Sequence, residues 1–334
     1  MVRGRIRFPI EKNDVADALC GHDTNLNRRL EPRGIHRGER HARNNRLISR
    51  SLCDVSATAD ITGPIGLFDS GFGGLTVARA VIDLLPNEDV IYIGDTGRYP
   101  YGDKNPDDVR VYARELAWSL VRDFGAKAIL VACNTAAAAL PVHALEAEFA
   151  AEGTSVPILG VIEPGARALV HSTRSGDIGV IGTIGTIGSG AYDRAVSRAA
   201  IGATVRLTSA ACPGFVEFVE RGRTTGPEVL LLAERLLAPI RDAKVDALLL
   251  GCTHYPYLAR VITEVLGSHV VLVSSADETA FALREQLSDM GLLRSDGHRP
   301  RHRFMSSGDV SWFETLGQKL LGPELVDAET WTPR

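Results

Sequence analysis

From residue 64 onwards, short apolar runs alternate with longer stretches that are apolar on one side only. Two of these longer stretches begin with helix-start signals, Asn105 before Pro106 and Gly226 before Pro227, and a third follows a glycine-rich turn at 75–85. Runs that are apolar on both faces are typical of buried parallel strands. We expect such strands at 65–68, 90–93, 128–132, 158–161, 178–181, 247–250 and 270–273. The alternation predicts an α/β fold with mainly parallel sheets.

The pattern also repeats itself within the chain. Cys133 and Cys252 each follow an apolar run and a small residue, and each precedes polar residues. An earlier run in each half ends at a comparable polar position, Asp69 in the first half and Thr183 in the second. Ligands of open α/β sheets bind at the carboxyl ends of the strands. We therefore predict two similar α/β domains, with the active site in the cleft between them and one cysteine on each side.

Length and composition fit this prediction and exclude several classes of protein. The 334 residues are 45% hydrophobic and 23% charged, which is enough apolar material for two globular domains. With a net charge of −4 and no apolar stretch of about 18 residues, we expect neither a nucleic-acid partner nor a membrane span. The chain has 5 cysteines without a Cys-x-x-Cys motif, which predicts neither a disulfide framework nor a metal site. We expect a reduced, cytoplasmic protein.

Residues 1–60 differ from the rest of the chain. They contain more Arg and Lys than Asp and Glu, although the whole chain is acidic, and they show little apolar periodicity. This composition predicts a flexible basic N-terminal extension. Three interpretations stay open for it: an interaction arm, a dispensable tail, and an incorrectly assigned start codon.

Two thiols on opposite sides of one cleft suit the inversion of a carbon centre. One thiolate removes a proton from one face, and the other thiol returns a proton to the opposite face. Asp69 and His254 are the candidates that tune the pKa values of the two thiols. A buried cysteine is often only a small apolar side chain, and we keep that interpretation for Cys212, which has no counterpart. Cys20 and Cys53 receive no role.

Glycine-rich turns follow one strand of each half, at 70–74 and 182–186. Backbone N–H groups at such turns into helices bind anions. The spacing matches neither the dinucleotide-binding fingerprint nor a phosphate-binding P-loop. A carboxylate ligand therefore fits better than a nucleotide, although glycine also serves turns that bind nothing.

Seven segments, taken together and in this order, are similar to those of a known family. They are Ile-Gly-Leu-Phe-Asp-Ser-Gly-Phe-Gly-Gly-Leu-Thr-Val at 65–77, Gly-Asp-Thr-Gly-Arg-Tyr-Pro-Tyr-Gly at 94–102, Ala-Cys-Asn-Thr-Ala at 132–136, Gly-Val-Ile-Glu-Pro-Gly-Ala at 160–166, the stretch from Gly-Thr to Tyr at 182–192, Ala-Cys-Pro at 211–213 and Gly-Cys-Thr-His-Tyr-Pro at 251–256. Over about residues 64 to 325 the chain resembles the glutamate racemases of the cofactor-independent aspartate/glutamate racemase superfamily. The resemblance implies interconversion of L- and D-glutamate, which supplies D-glutamate for bacterial peptidoglycan, with no metal and no other cofactor.

The resemblance also implies a set of site residues. Cys133 and Cys252 match the two catalytic bases, and Asp69, His254 and Glu220 match the groups that assist them. Hydroxyl, amide and backbone N–H groups are suited to hold both carboxylates and the ammonium group of the substrate. Contacts to glutamate are implied for Asp69, Ser70, Tyr101, Gly102, Asn134, Thr135, Thr183, Thr186, Thr253 and His254.

The resemblance further implies how the domains are arranged. The first domain resumes after the second, which gives 64–158 plus 271–326 for the first domain and 159–270 for the second. A homodimer is implied, and activation by a cell-wall precursor is implied because some members with shorter extensions are activated in this way. Ser274 departs from the family, which often has Asp there, and we assign no catalytic role to that position.

Three other functions fit parts of the pattern. A sister racemase or isomerase for aspartate or another small acid would keep the two-cysteine chemistry with other polar contacts. A small-anion binding protein would keep the fold without catalysis. A Cys–His hydrolase would use one thiolate as its nucleophile and His254 as its base, but it would leave the other cysteine unexplained.

Overall fold

In the computed structural model, residues 60–333 are described, and strands and helices alternate along them. The strands of this part of the chain are β1 (Ile65–Asp69), β2 (Val90–Gly94), β3 (Ala128–Val131), β4 (Ile158–Gly160), β5 (Asp177–Gly182), β6 (Arg206–Ala211), β7 (Ala247–Gly251), β8 (Val271–Ser274), β9 (His302–Ser306) and β10 (Glu329–Thr330). Its α-helices are α1 (Leu75–Leu84), α2 (Pro106–Arg122), α3 (Asn134–Ala139), α4 (Val142–Ala151), α5 (Ile162–Ser172), α6 (Ile184–Gly188), α7 (Ala191–Ala199), α8 (Phe215–Glu220), α9 (Pro227–Leu236), α10 (Ala238–Asp242), α11 (Ala259–Leu266), α12 (Ser275–Asp289) and α13 (Val310–Leu321). Apart from Asp60, the predicted N-terminal extension lies outside the described residues.

The strands form two parallel sheets. The first sheet has six strands in the order β10-β9-β2-β1-β3-β4, and the second has four in the order β6-β5-β7-β8. Every pair of neighbouring strands within them is parallel. The predicted α/β class with mainly parallel sheets is therefore confirmed.

The seven predicted strands are present within one residue of their predicted bounds. Strands β6, β9 and β10 were not predicted. Strand β6 is an edge strand that begins with exposed Arg206, and β10 has only two residues, both exposed. Strand β9 begins with His302 and Arg303 before its buried residues. Because edge strands and strand ends face solvent, they need no continuous apolar run and leave little signal in the sequence.

Two helices show how local sequence sets the ends of the elements. At the start of α2, the Asn105 side chain accepts the N–H of Asp107, and Pro106 occupies the first turn, where its missing N–H costs nothing. The single helix expected after Gly226 is instead two helices, α9 and α10. Pro239 lies in the first turn of α10 and has no N–H to continue the hydrogen bonds of α9, so the helix breaks before it.

Each sheet is covered by helices on both faces. Neighbouring residues of a strand point to opposite faces: on β1, Leu67 packs with α1, α12 and α13 while Phe68 packs with α2, α3 and α4. On β7, Leu249 packs with α5 and α7 while Leu250 packs with α8, α9, α10 and α11. Because both faces of β1 and β7 are buried, each of these strands has a continuous apolar run. Burying each such side chain contributes about 1.5–3 kcal/mol.

The chain passes from the first sheet to the second through α5 and returns through α12. Strand β8, which begins at the predicted boundary of 271, pairs with β7 in the second sheet. Helix α12 then contacts both α1 and α5. The domain boundaries at 158 and 271 stay a prediction, because residues 60–333 belong to one compact unit.

Candidate active site

Both candidate cysteines lie just beyond the carboxyl ends of central strands. Cys133 is the second residue after β3, and Cys252 directly follows β7. When the register of β1 with β3 is continued, Ser70 lies level with Cys133, and in the same way Thr183 lies level with Cys252. The counterpart of Thr183 in the first half is therefore Ser70 rather than Asp69, which lies one residue earlier.

The two thiols line one small cavity. Its volume is about 40 Å³, and it is lined from both halves of the molecule. Besides the two cysteines, eight of the residues implied by the resemblance line it: Ser70, Tyr101, Gly102, Asn134, Thr135, Thr183, Thr253 and His254. Asp69, Thr186 and Glu220 are outside this lining and lie behind it, in contact with residues that belong to it. A cavity of this size suits a small molecule better than a nucleotide.

Cys133 is held at the start of α3. Its thiol donates to Ser70 Oγ at 3.7 Å, and its Sγ accepts the N–H of Ala136 at 3.5 Å. Cys133 is 5% exposed. Burial raises the pKa of its thiol to about 12, and the carboxylate of Asp69 acts in the same direction. This thiol is therefore protonated at neutral pH unless a positive charge lies close to it.

Asp69 is fully buried at the end of β1 and contacts both halves. Its carboxylate accepts the N–H of Gly71 at 2.8 Å and the hydroxyl of Thr253 at 3.3 Å. Burial raises the pKa of Asp69, while the nearby His254 lowers it. The turn after Asp69 lies so close to the second half that a Cβ at Gly73 would come within 2.6 Å of His254 Nδ1. Only glycine fits at that position without a shift of the turn.

The Cys252 side has an imidazole where the Cys133 side has a carboxylate. His254 Nδ1 lies 3.9 Å from Cys252 Sγ, and His254 Nε2 lies 3.6 Å from Glu220 Oε1. The imidazole ring packs against Phe72 and Tyr99, with ring centroids 4.9 and 6.2 Å away. Burial raises the pKa of Cys252 well above its ordinary value. The imidazole thus lies between the thiol and a carboxylate, in a position to exchange a proton with the thiol.

Hydrogen bonds hold the two halves together around the cavity. Thr135 Oγ1 lies 3.0 Å from Thr183 Oγ1 and 3.1 Å from Thr186 Oγ1. The N–H of Gly185 donates to the carbonyl of Gly102 at 2.9 Å. Thr186 is fully buried, so its hydroxyl supports the other two threonines from behind.

Three residues to which the sequence interpretation gave no role also belong to the site. Tyr99 and Glu217 line the cavity, and the hydroxyl of Tyr192 donates to Asn134 Oδ1 at 2.7 Å. The tyrosines stand inside motifs that carry the resemblance, at 94–102 and 182–192, but motif membership alone gave them no chemistry. Glu217 lies three residues before Glu220, about one turn away on α8. This spacing is the sequence signal from which Glu217 could have been placed near the site.

Residues 60–333 hold neither a metal-ion cluster nor a membrane-spanning helix. In this part of the chain no group of three or more His, Cys, Asp or Glu side chains is arranged to hold a metal ion. None of its helices is both long and apolar enough to cross a membrane.

The chain is similar in sequence to known proteins. The family model described as Asp/Glu/Hydantoin racemase matches residues 75–283. The chain belongs to this family. A curated glutamate racemase from Beutenbergia cavernae is 50% identical over 273 residues, which cover 79% of this chain and 91% of that protein.

Solved structures of the family are also similar to this chain. A Francisella tularensis glutamate racemase in complex with D-glutamate is 33% identical, with a TM-score of 0.73, and the match covers 82% of this chain and 98% of that one. An Escherichia coli glutamate racemase in complex with L-glutamate and the activator UDP-MurNAc-Ala is 25% identical, with a TM-score of 0.64 and coverage of 81% and 98%. The resemblance inferred from the sequence motifs is thereby confirmed, and so is the prediction of an amino-acid racemase, which is an isomerase, of the glutamate racemase type.

Proposed function

We propose that this chain interconverts L- and D-glutamate by removing the Cα proton with one cysteine and returning a proton from the other. The observation that supports the proposal most strongly is the placement of Cys133 and Cys252, which come from equivalent strand ends and line one cavity. Two acid–base groups on opposite sides of a planar intermediate invert a carbon centre. The pseudo-symmetric fold therefore matches the symmetry of the reaction.

Each turnover requires one thiolate and one thiol at the same time. Burial raises the pKa of both Cys133 and Cys252, so the doubly protonated pair prevails at neutral pH. The α-ammonium group of a bound amino acid brings a positive charge next to the thiols and lowers their pKa values. Substrate binding thus favours the loss of one thiol proton, to His254 or to solvent, and so generates the base. Between turnovers the neutral thiols are protected from side reactions.

The groups around the cavity match the polar groups of an amino acid with a second carboxylate. Asn134 Nδ2 is a buried donor that has no hydrogen-bond partner in the described part of the chain. Ser70, Thr135, Thr183 and Thr253, which carry hydroxyl groups, line the same cavity. Carboxylates accept hydrogen bonds from such donors strongly. Asp69 assists on the Cys133 side, and His254 with Glu220 on the Cys252 side.

The proposal includes the setting of the reaction. D-glutamate made by the chain serves peptidoglycan synthesis, and the reaction runs in the cytoplasm, where the free thiols of Cys133, Cys212 and Cys252 stay reduced. A homodimer and an activating cell-wall precursor complete the proposal. The activator is supported by the Escherichia coli relative, which binds UDP-MurNAc-Ala. The proposal requires no cofactor and no nucleic acid.

The proposal is tested by following the optical rotation of L- and of D-glutamate with purified protein and no added cofactor. Both solutions should converge on zero rotation, because the racemate is the equilibrium mixture. Aspartate is assayed in parallel. Turnover of aspartate without turnover of glutamate would assign the chain to a sister activity, and rotation that stays constant in all four solutions would contradict a racemase for these acids.

A further inference from the structure

Tyr192 contacts the cavity residue Asn134 from the opposite half of the molecule. It lies on α7 of the second half and is 1% exposed. Its hydroxyl donates to Oδ1 of Asn134, the first residue of α3 and the neighbour of Cys133, at 2.7 Å. The hydrogen bond therefore crosses between the halves next to one of the two thiols.

This contact uses only one of the two hydrogen-bonding groups of the Asn134 amide. Its oxygen accepts from Tyr192, whereas its Nδ2 is buried and has no hydrogen-bond partner among residues 60–333. Asn134 is 3% exposed and lines the cavity. Buried donors in native proteins almost always have a partner, so an exception beside a cavity indicates a donor for a ligand.

We propose that Tyr192 is a positioning residue, whose hydroxyl fixes the Asn134 amide so that Nδ2 donates to a carboxylate of the substrate. The inference rests on the proposed function and adds a residue to which the motifs gave no role. Without the hydroxyl, the amide is free to rotate, and its oxygen then faces the carboxylate in part of the molecules.

The surroundings of Tyr192 separate this role from simple packing. A Cβ at Gly251, the residue before Cys252, would come within 2.9 Å of the Tyr192 ring, so the ring packs closely against the end of β7. Burial also raises the pKa of Tyr192, which keeps the hydroxyl protonated as a donor. Tyr192→Phe retains the ring and its packing and removes only the hydroxyl group.

The test is a double-mutant cycle on racemisation with Tyr192→Phe, Asn134→Ala and the double variant. Tyr192→Phe should lower kcat/KM about tenfold, mainly through KM, because the substrate loses an oriented donor. In the Asn134→Ala background the same change should have no further effect. Tyr257→Phe is the control, since it removes a hydroxyl in the same half that makes no hydrogen bond within residues 60–333. Equal losses in both backgrounds, or a folded Tyr192→Phe variant with parental KM, would overturn the inference.

Asn134→Asp tests the orientation of the amide without altering Tyr192. A carboxylate at this position still accepts from Tyr192, but it presents an oxygen to the cavity instead of an N–H. We expect it to weaken glutamate binding more than Asn134→Ala does. Binding as tight as that of the parent would mean that Nδ2 does not face the substrate.

Calorimetry then gives the dissociation constants of D-glutamate and D-aspartate for the parent and the three variants of the cycle. This measurement does not depend on turnover. A parent protein that binds but does not racemise glutamate contradicts the proposed function and leaves the cycle decisive for Tyr192. If the parent enzyme is active and the two substitutions change the binding free energy additively, only the inference about Tyr192 is contradicted. If the parent binds neither amino acid, both fail.

Discussion

The two halves of the molecule present their cysteines on the same scaffold but in different chemical surroundings. Cys133 is held by a serine hydroxyl and a helix N–H, with the buried carboxylate of Asp69 nearby. Cys252 lies beside the imidazole of His254, which in turn faces Glu220. The strand register places the thiols at equivalent positions, so the difference arises from the side chains at the strand ends and in the segments that follow them.

This difference shows that the fold places the two thiols symmetrically, while the strand ends and the segments after them set the chemical surroundings of each thiol. A carboxylate beside a thiol disfavours the thiolate, whereas an imidazole can take up the proton of the thiol. The two sides also contact each other across the cavity, since Thr253 of the second half donates to Asp69 of the first. Each half therefore tunes the other, and the comparison can be tested by changing one side at a time.

The largest expected effect comes from removing either thiol. Cys133→Ser and Cys252→Ser should each lower racemisation on the order of 10³-fold or more, because a general base or acid contributes about 10²–10⁴-fold and serine ionises far less readily. In each variant the remaining cysteine should still exchange the Cα proton of one enantiomer with deuterated solvent, and the favoured enantiomer should be opposite in the two variants. Polarimetry and mass spectrometry measure these two quantities.

Cys212→Ser is the matched control for this pair. Cys212 is also buried and lines the cavity, but it has no counterpart in the other half. We expect racemisation within about threefold of the parent, by analogy with other conservative changes outside the reacting groups. Parental activity in Cys133→Ser or Cys252→Ser would show that the two halves do not share the reaction.

A smaller effect is expected from removing the negative charge of Asp69, which lies on the Cys133 side. The carboxylate of Asp69 contributes to the raised pKa of Cys133, so Asp69→Asn should lower that pKa and increase the thiolate fraction at pH 8. Alkylation of Cys133 by iodoacetamide should then become about three- to tenfold faster, since the thiolate is the nucleophile. Site-resolved mass spectrometry measures the rate, although racemisation itself falls in this variant.

Cys212 serves as the internal control in the same sample. Its pKa is raised to about 12 by burial alone, with no contribution from Asp69. The ratio of Cys133 to Cys212 alkylation should therefore rise. A parallel rise at both cysteines would indicate that Asp69→Asn has opened the structure, and an unchanged ratio would show that the first half does not disfavour its thiolate.

The sequence predicted the parts of this comparison that depend on pattern. Continuous apolar runs followed by Cys133 and Cys252 were enough to predict buried parallel strands with thiols at their ends, because burial on both faces requires such runs. The structure brings Asp69 near Cys133, and His254 with Glu220 near Cys252, while the assisting roles that the motifs imply for them stay predictions.

Other parts depend on contacts between distant residues and left no local signal. The hydrogen bond from Tyr192 to Asn134 joins residues 58 positions apart, and the packing of Phe72 against His254 joins opposite halves. Thr186 was expected to contact the substrate, a role that stays a prediction; in the structure its buried hydroxyl bonds to Thr135 and Thr183. Spacing along the chain identifies which side chains carry chemistry, but only tertiary packing determines which of them face the cavity.

The smallest expected effect concerns the residues before Asp60, and it tests whether the asymmetry of the site arises within residues 60–333. A variant without residues 1–59 should fold, with a Tm within about 2 °C of the parent, and should racemise glutamate at a rate within about twofold. The reason is that each contact used in the comparison of the halves lies after Asp60. Thermal unfolding and polarimetry check the two quantities.

Deletion of residues 1–61, two residues longer, is the matched control. The buried ammonium group of Lys127 pairs with Glu88 and donates to the carbonyl groups of Ile61 and Leu292, each at 2.8 Å. Loss of Ile61 leaves a buried donor without its partner, which costs about 1–3 kcal/mol of the free energy of unfolding. We therefore expect a clear drop in Tm for the longer deletion alone. Equal loss of activity in both variants at unchanged Tm would instead show that the basic extension takes part in the function of one half. The difference between the two sides would then not arise within residues 60–333 alone.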